Sequence, residues 1–486
     1  MSSTFRWKYA TEHNVKLPDE YDQIYRDLEP FWGIEPADLI KIHEESELKM
    51  DSYTIGLNET GHVDILTYAF AEGTYDKLIV GTRKIIAMFK DIEQYLPPFR
   101  MTISPHDNPN RMSDHAIKQA ALEAAASQTC ELFYLVTTNY DLLSADITRD
   151  GLPKRSNLGW LSACPPNSPA RRKPLNLDSP PLRLDTKTFI SNHLQSMDPC
   201  NHPNLFYHHG QFLSHNEGPG PQPVLVPEFS YCSTTLHHNI RIPVPYLWVE
   251  DIYPRSFDPE WDQKFDERLL WRGSNTGIFH GEKTRWRDSQ RNFLVEFAND
   301  YRGILDVLPP DRAQNEKLVE MREMAKARIN PAVMDVAFAG EPILCEPEIC
   351  EVLKEEYQWR ERQSDKEAGN YKYIIDVSGL FCPFQINIDD IKVDGNGWSG
   401  RFKRLMTSNS LIFKSTIYPE WSVVLCSLYP FCIYTQVHGL LGLLIVLSLG
   451  YTISLSKSIF LTFTTRYSSS EEMGMATAHM NTWLVK

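Results

Sequence analysis

The sequence predicts an α/β protein of two doubly wound domains facing a cleft, and three observations carry that expectation. Two regions alternate β-branched or aromatic runs with helical patterns. A stretch from 151 to 245, rich in Pro, Asn, Ser and His, separates them. Within the second region, YKYIIDV, DGNGWSGRFKRLM and SLIFKST spell strand, glycine turn, helix and strand in succession. With 486 residues and 42% hydrophobic content, the chain suffices for two or three sizeable cores.

Taken in order, residues 1–60 form a helical N-terminal segment: LPDEYDQIYRDLEPFWGIEPADLIKIHEE holds two short helical patterns divided by a Pro/Gly/Trp turn. Residues 61–250 form the first α/β domain with long loops. HVDILTYAF, KLIVGTR, FRMTISPHD and ELFYLVTT read as strands or strand ends, and SDHAIKQAALEAAASQ from Ser113 as an N-capped helix. Loops as long as those of 151–245 are more often functional than decorative. Residues 251–421 form the second α/β domain: the strand ERLLWRG, a charged helix DRAQNEKLVEMREMAKARI, a helix from about Glu346, and the closing strand–turn–helix–strand unit. Residues 422–486 are an apolar tail compatible with a helix. From Ser422 to Ser456 it carries no Asp, Glu, Lys or Arg, and 438–456 is long enough to span a bilayer, which takes ~20 apolar residues. The first residues, MSSTFRWKYATEH, contain no apolar run, so no signal peptide reads from them.

Charge and cysteines narrow the function classes. A formal net charge of −14 argues against a nucleic-acid partner, which needs a basic footprint, whereas a nucleotide needs only a local one. Nine cysteines without CxxC spacing are no zinc framework. Cys164, Cys200 and Cys232 lie in Pro-rich loops, where disulfides in an oxidising lumen and buried thiols fit equally well.

Two arginine-bearing glycine turns carry the chemistry. In DGNGWSGRFKRLM the glycines, Gly397 among them, let backbone approach a ligand, Ser399 offers a hydroxyl, and Arg401 enters the first helical turn, where a guanidinium can grip phosphate. In ERLLWRGSNTG a strand runs straight into Arg272, Gly273, Ser274 and Thr276, a guanidinium, two hydroxyls and bare backbone suited to diphosphate or ribose. Arg285, Arg287 and Arg291 follow, and a solvated face is the simpler role for at least two of them. In the first half, SPHDNPN sets His106 and Asp107 just past a strand between prolines; the carboxylate fits a general base and equally the cap of an Asx-turn. The pairs His208–His209 and His237–His238 lack a carboxylate at ligand spacing and read as structural or acceptor-facing. Asp389–Asp390 is the one pair resembling a metal ligand set.

YKYIIDV, DGNGWSGRFKRLM, SNSLIFKST and PEW, with LLWRGSNTG, SPHDNPN and DQIYRDLEPFWG, resemble the capsule-associated-protein and protein O-glucosyltransferase family in its fungal form, from about residue 5 to Trp421. The resemblance implies two Rossmann-like domains of the GT-B type and an inverting, metal-independent glycosyltransferase. It would use a UDP-sugar donor and no cofactor, with a glycan or glycoprotein acceptor, in the ER or Golgi lumen, membrane-associated through 438–456. It places the catalytic base on Asp107, the UDP-contacting turn on Gly273, Ser274 and Thr276, the diphosphate arginine on Arg401, with Arg272 or Arg287 assisting, and Glu420 near the donor.

Two departures stand out. The family pattern runs from IIDV directly into DGNGWSGRF, whereas here Val377 to Lys392 intervene and read as a retained intron. After PEW a family-like strand and closing helix are replaced by SVVLCSLYPF and the apolar run. The competing expectation is therefore a catalytically inactive glycan- or nucleotide-binding member of the same family. A nicotinamide oxidoreductase is a distant third reading, since it would need GxGxxG after an early strand with an acid further on, and the sequence has no such run.

Overall fold

Local chemistry sets up the first hairpin. Asn58 Oδ1 accepts from the Thr60 and His62 amides at 3.0 Å each, and Gly61 takes the left-handed conformation at φ 79°. The turn joins β1 (Ser52–Leu57) to β2 (Val63–Ala69), which pair antiparallel. The computed structural model describes residues 20–48, 52–70, 80–128, 155–173, 175–176, 193–214, 218–242, 257–307, 322–377, 397–399, 401–419 and 432–434. The strand expected over ELFYLVTT, the block 378–392 with Asp389 and Asp390, Glu420, and the apolar run 438–456 lie outside these residues. Among the described residues no helix is long and apolar enough to cross a membrane.

The chain is mixed α/β with parallel strands in both large sheets. The first sheet adds β3 (Arg100–Ile103), β4 (Glu228–Ser230) and β5 (Ile240–Arg241) in the order β2-β1-β3-β4-β5. β1 runs antiparallel to both neighbours while β3, β4 and β5 are parallel, so this sheet is mixed rather than wholly parallel. Around it lie α1 (Glu20–Leu28), α2 (Pro36–Glu47), α3 (Val80–Phe89) and α4 (His115–Ser127). The two N-terminal helices and the Pro/Gly/Trp turn between them are as expected. The cap of α4 is Asp114, whose carboxylate accepts from the Ala116 and Ile117 amides. The first three residues of KLIVGTR lie outside the described residues, and its remainder is helical from Val80, with Ile85, Ile86 and Phe89 of that helix packed on the first core.

The second sheet comprises β6 (Asp266–Gly273), β9 (Met334–Ala339), β10 (Trp359–Arg360), β11 (Tyr371–Val377), β12 (Leu411–Ser415) and β13 (Cys432–Tyr434), with β7 (Ile304–Val307) and β8 (Arg322–Ala325) forming a separate antiparallel pair. Its order is β10-β9-β6-β11-β12-β13 with all pairs parallel, a doubly wound arrangement whose direction of winding reverses between β6 and β11. Helices α5 (Gln290–Asn299), α6 (Lys326–Val333), α7 (Pro347–Glu356) and α8 (Phe402–Met406) belong to this half. The expected charged helix over DRAQNEKLVEMREMAKARI fails in part. Its first part, to 321, lies outside the described residues; Arg322–Ala325 is a strand because it closes a ladder with Ile304–Val307, and a helix begins at Lys326. Phe402 of α8 is buried against Leu270, Ile374 and Ile412, as its apolar spacing predicts.

Each sheet has its own core, but the seam between them is packed. Trp398, Ile417 and Tyr418 of the second half are buried in the cluster of Tyr53, Ile103, Phe212 and Tyr231. Arg241 adds a polar clamp: its guanidinium makes a bidentate ion pair with Asp27 of α1 at 2.7 and 2.8 Å and donates to the Pro419 carbonyl at 3.1 Å. Truncating Arg241 leaves a largely buried Asp27 without its counter-charge, so Arg241→Leu should cost about 3–5 kcal/mol by urea unfolding, and the double change with Asp27→Leu should recover most of it.

Candidate functional site

In doubly wound sheets the crevice forms outside the carboxyl ends of the strands where the winding reverses. Here β6 ends in Gly273 and leads into Ser274–Gly277, and β11 ends at Val377 beside it; the turn 397–399 and Arg401 return the chain into α8. The two arginine-bearing turns picked out in the sequence therefore stand side by side: Arg401 Nη1 donates to the Arg272 carbonyl at 2.5 Å.

A buried charge cluster holds this arrangement. Asp376, fully buried one residue before the end of β11, accepts from Ser399 Oγ at 2.9 Å and Lys414 Nζ at 2.8 Å and lies 3.6 Å from Arg401 Nη2. Burial opposes its ionisation, but the charges of Lys414 and Arg401 and the hydrogen bonds from Lys414 and Ser399 outweigh that and hold its pKa below the usual carboxylate value. One carboxylate thus serves two cations.

Arg291 adds a third. It is buried in α5, donates from Nη1 to the Ser274 and Thr276 carbonyls and to Thr276 Oγ1 at 2.7–3.0 Å, and reaches the Val377 carbonyl at 3.3 Å from Nη2. It stitches the ends of β6 and β11 together, and it has no carboxylate partner among the described residues. Burial first, then repulsion from Arg401, pushes its pKa down to about 9, against a smaller opposing pull from Asp376. A guanidinium stays protonated under ordinary conditions, so the shift marks uncompensated positive charge at the seam. An anion is the ligand such a site favours.

The first half supplies Asp107 to the same place. Asp107 follows β3, is 6% exposed, and its carbonyl accepts from Cys232 Sγ at 3.0 Å. Gly397 packs directly against it: a β-carbon at 397 would overlap the Asp107 carbonyl oxygen and lie 2.8 Å from the Cys232 sulfur. That close approach, more than any special torsion, is what requires glycine here. The loop holding Asp107 is itself fixed from below, where Arg111 pairs with buried Glu228 and donates its amide to Asn239 Oδ1 at 2.9 Å.

Among the expected site residues, Asp107, Gly273, Ser274, Thr276, Gly397, Ser399 and Arg401 are gathered around the seam, and Glu420 lies outside the described residues. Two expected residues are engaged with carboxylates of the chain itself. The Arg272 side chain turns back along the sheet to buried Asp335, donating to its carbonyl at 2.8 Å and its carboxylate at 2.5 Å, because Asp335 gathers Arg272, Arg360 and Tyr371 beneath the turn. Arg287 is half exposed, pairs with Glu356 and lies 4.2 Å over the Trp286 ring. Arg291, grouped with Arg285 and Arg287 in the sequence, takes the buried place instead. Asp376 and Lys414 were missed as site residues; the signal for them was a charge following a run of apolar residues, IID and LIFK. Among the histidine pairs, His237 and His238 are hydrogen-bonded in the interior to Thr234 and Ser113. Among the described residues, no group of three or more His, Cys, Asp or Glu side chains is arranged to hold a metal ion.

Among the described residues two disulfides are formed, Cys164–Cys200 in the loop region and Cys345–Cys350 at the start of α7, and Cys232 is a buried thiol. No family model matches the chain, and no curated protein matches it.

The buried pair makes a pH-resolved prediction. Asp376→Asn leaves Lys414 buried without its full counter-charge and should cost about 3–5 kcal/mol at neutral pH. Because the folded pKa of Asp376 lies below that of the unfolded chain, about 3.9, its contribution is complete above about pH 5 and is lost as pH falls through the folded value. The difference in urea stability between native chain and variant should be flat from about pH 5 to 8 and shrink below about pH 4.

Proposed function

We propose that the protein is an inverting, metal-independent glycosyltransferase that moves a sugar from a UDP-sugar to a hydroxyl of a glycan or glycoprotein, on two Rossmann-like halves of the GT-B type. The observation that supports this reading is the contact of Gly397 with the Asp107 backbone, which packs the Asp107 loop of one half against the glycine turn of the other. A transferase needs that juxtaposition, a base on the acceptor side and an anion site on the donor side.

In the proposed reaction Asp107 accepts the proton of the acceptor hydroxyl as its oxygen bonds to the anomeric carbon. The bond to UDP breaks on the opposite face, and the electron pair leaves with the diphosphate. Arg291 and Arg401 then stabilise the added charge, and because both are held by carbonyls and by Asp376 before the ligand arrives, little reorganisation is required. The two disulfides favour an oxidising compartment, in keeping with a secretory-pathway lumen. The segment 438–456 would tether the enzyme to its membrane.

A second reading, a nucleotide- or glycan-binding relative without turnover, is favoured by the burial of Asp107 and by the block 377–392 beside the phosphate turn. Turnover separates the two.

Asp107→Asn should lower transfer by about 10²–10⁴-fold with UDP affinity nearly intact; a variant keeping most of its rate removes Asp107 as base. Arg401→Ala should weaken UDP binding by about 1.5–3 kcal/mol in calorimetry, and unchanged affinity removes it from the donor site. EDTA should leave the transfer rate unaltered, and strict dependence on added manganese would contradict the metal-free reaction.

A further inference from the structure

We propose that His209, from the first half, is a donor-site residue that reaches across the seam to hydrogen-bond the phosphate of the nucleotide diphosphate held by the second half. The proposal rests on the donor-site reading above and adds a residue that nothing in the sequence singled out for this role.

A cavity between the halves is lined by His209 and Gly210 on one side and by Thr276, Gly277, Ser289, Gln290 and Arg291 on the other. Both principal side chains at this cavity are almost wholly buried, His209 and Arg291 at 3% exposure each. Neither ring nitrogen of His209 has a hydrogen-bond partner among the described residues, and the same is true of Arg291 Nε. An imidazole that is buried with both nitrogens unused costs stability, and a phenyl ring would fill the same space more cheaply. Its neighbours are apolar on the far side: the rings of Tyr418 and Phe212 lie 5.0 and 6.0 Å away, edge to face.

The position of the ring is not accidental to loop mobility. The Gln290 amide donates to the His208 carbonyl at 2.9 Å, and His208 Nδ1 lies 3.3 Å from the Asp288 carbonyl, so the segment carrying His209 is bonded to the segment carrying Arg291. The His209 amide donates to the Leu205 carbonyl at 3.2 Å, and its own carbonyl accepts from Phe212 and Leu213 at 3.0 Å. Burial first, and the charge of Arg291 second, pushes the pKa of the ring down to about 3, so it is neutral under ordinary conditions. A neutral imidazole has one donor and one acceptor nitrogen. Beside an arginine without a carboxylate, the donor suits a phosphate oxygen and the acceptor suits a hydroxyl of the same ligand.

The test uses the full-length chain with UDP and inorganic pyrophosphate as calorimetric probes, and thermal unfolding without ligand. His209→Phe removes both nitrogens and keeps the ring. It should melt at the same temperature as the native chain or higher, yet bind UDP and pyrophosphate about tenfold more weakly or worse. His209→Gln, which keeps a donor and an acceptor, should recover part of the loss and serves as the informative variant if the phenyl ring is not tolerated. Undiminished binding of both probes by His209→Phe, or by His209→Gln and His209→Leu together if the former does not fold, would overturn the proposal. If the native chain binds UDP and the variants bind it equally, only the role of His209 falls; if the native chain binds neither probe, the donor-site reading falls with it.

Discussion

The fully buried carboxylate of Asp376 is the constraint on which the seam depends. It lies one residue before the end of a strand whose other buried residues are apolar or aromatic, and an isolated charge in that position would be untenable. Its partners resolve this: Lys414 from the neighbouring strand β12, Ser399 from the glycine turn, and Arg401 at the start of α8. Each bond also positions something. The Ser399 bond fixes the turn at the height where Gly397 meets the Asp107 backbone, and the Arg401 contact aims a guanidinium at the crevice between β6 and β11. Replacing such a cluster by apolar residues often costs nothing in stability, so its value here lies in fixing geometry.

From that point outward the two halves are locked by contacts of different kinds. Trp398 and Tyr418 bury aromatic surface in the first core, with the Tyr418 hydroxyl hydrogen-bonded to Gln211, while Arg241 clamps Asp27 and the Pro419 carbonyl. Tyr418, Pro419 and Trp398 all leave the carboxyl ends of β11 and β12, the ends that also carry Arg401. A change in the first half that disturbs these side chains is therefore transmitted to the cationic turns through direct packing.

Much of the fold was legible because its signals are local. The strands YKYIIDV and LIFKS, the short N-terminal helices and the helix after Asp114 announce themselves by β-branched and aromatic runs, helical spacing and caps. What was not legible depends on partners distant in sequence. Arg322–Ala325 is a strand only because Ile304–Val307 pairs with it, and the hairpin that makes the first sheet mixed is decided by strand pairing rather than by composition. The same holds for the site. Three arginines within seven positions are indistinguishable by type, yet Trp286 and Glu356 hold Arg287 at the surface while the ends of β6 and β11 enclose Arg291. Arg272 looked like a phosphate ligand from its place after a strand, but a buried aspartate one strand away captures it.

The central claim is that the seam exists to hold a diphosphate against Arg291 and Arg401, opposite Asp107. One buried carboxylate there serves Lys414 and Arg401, and buried Arg291 beside them has no carboxylate partner among the described residues, a set that favours an anion. The most direct measurement compares UDP with uridine by calorimetry on the full-length chain at fixed ionic strength. The account predicts that UDP binds about a hundredfold or more tightly than uridine, the difference arising from the phosphates; equal affinities for the two, or no binding of UDP, would contradict it.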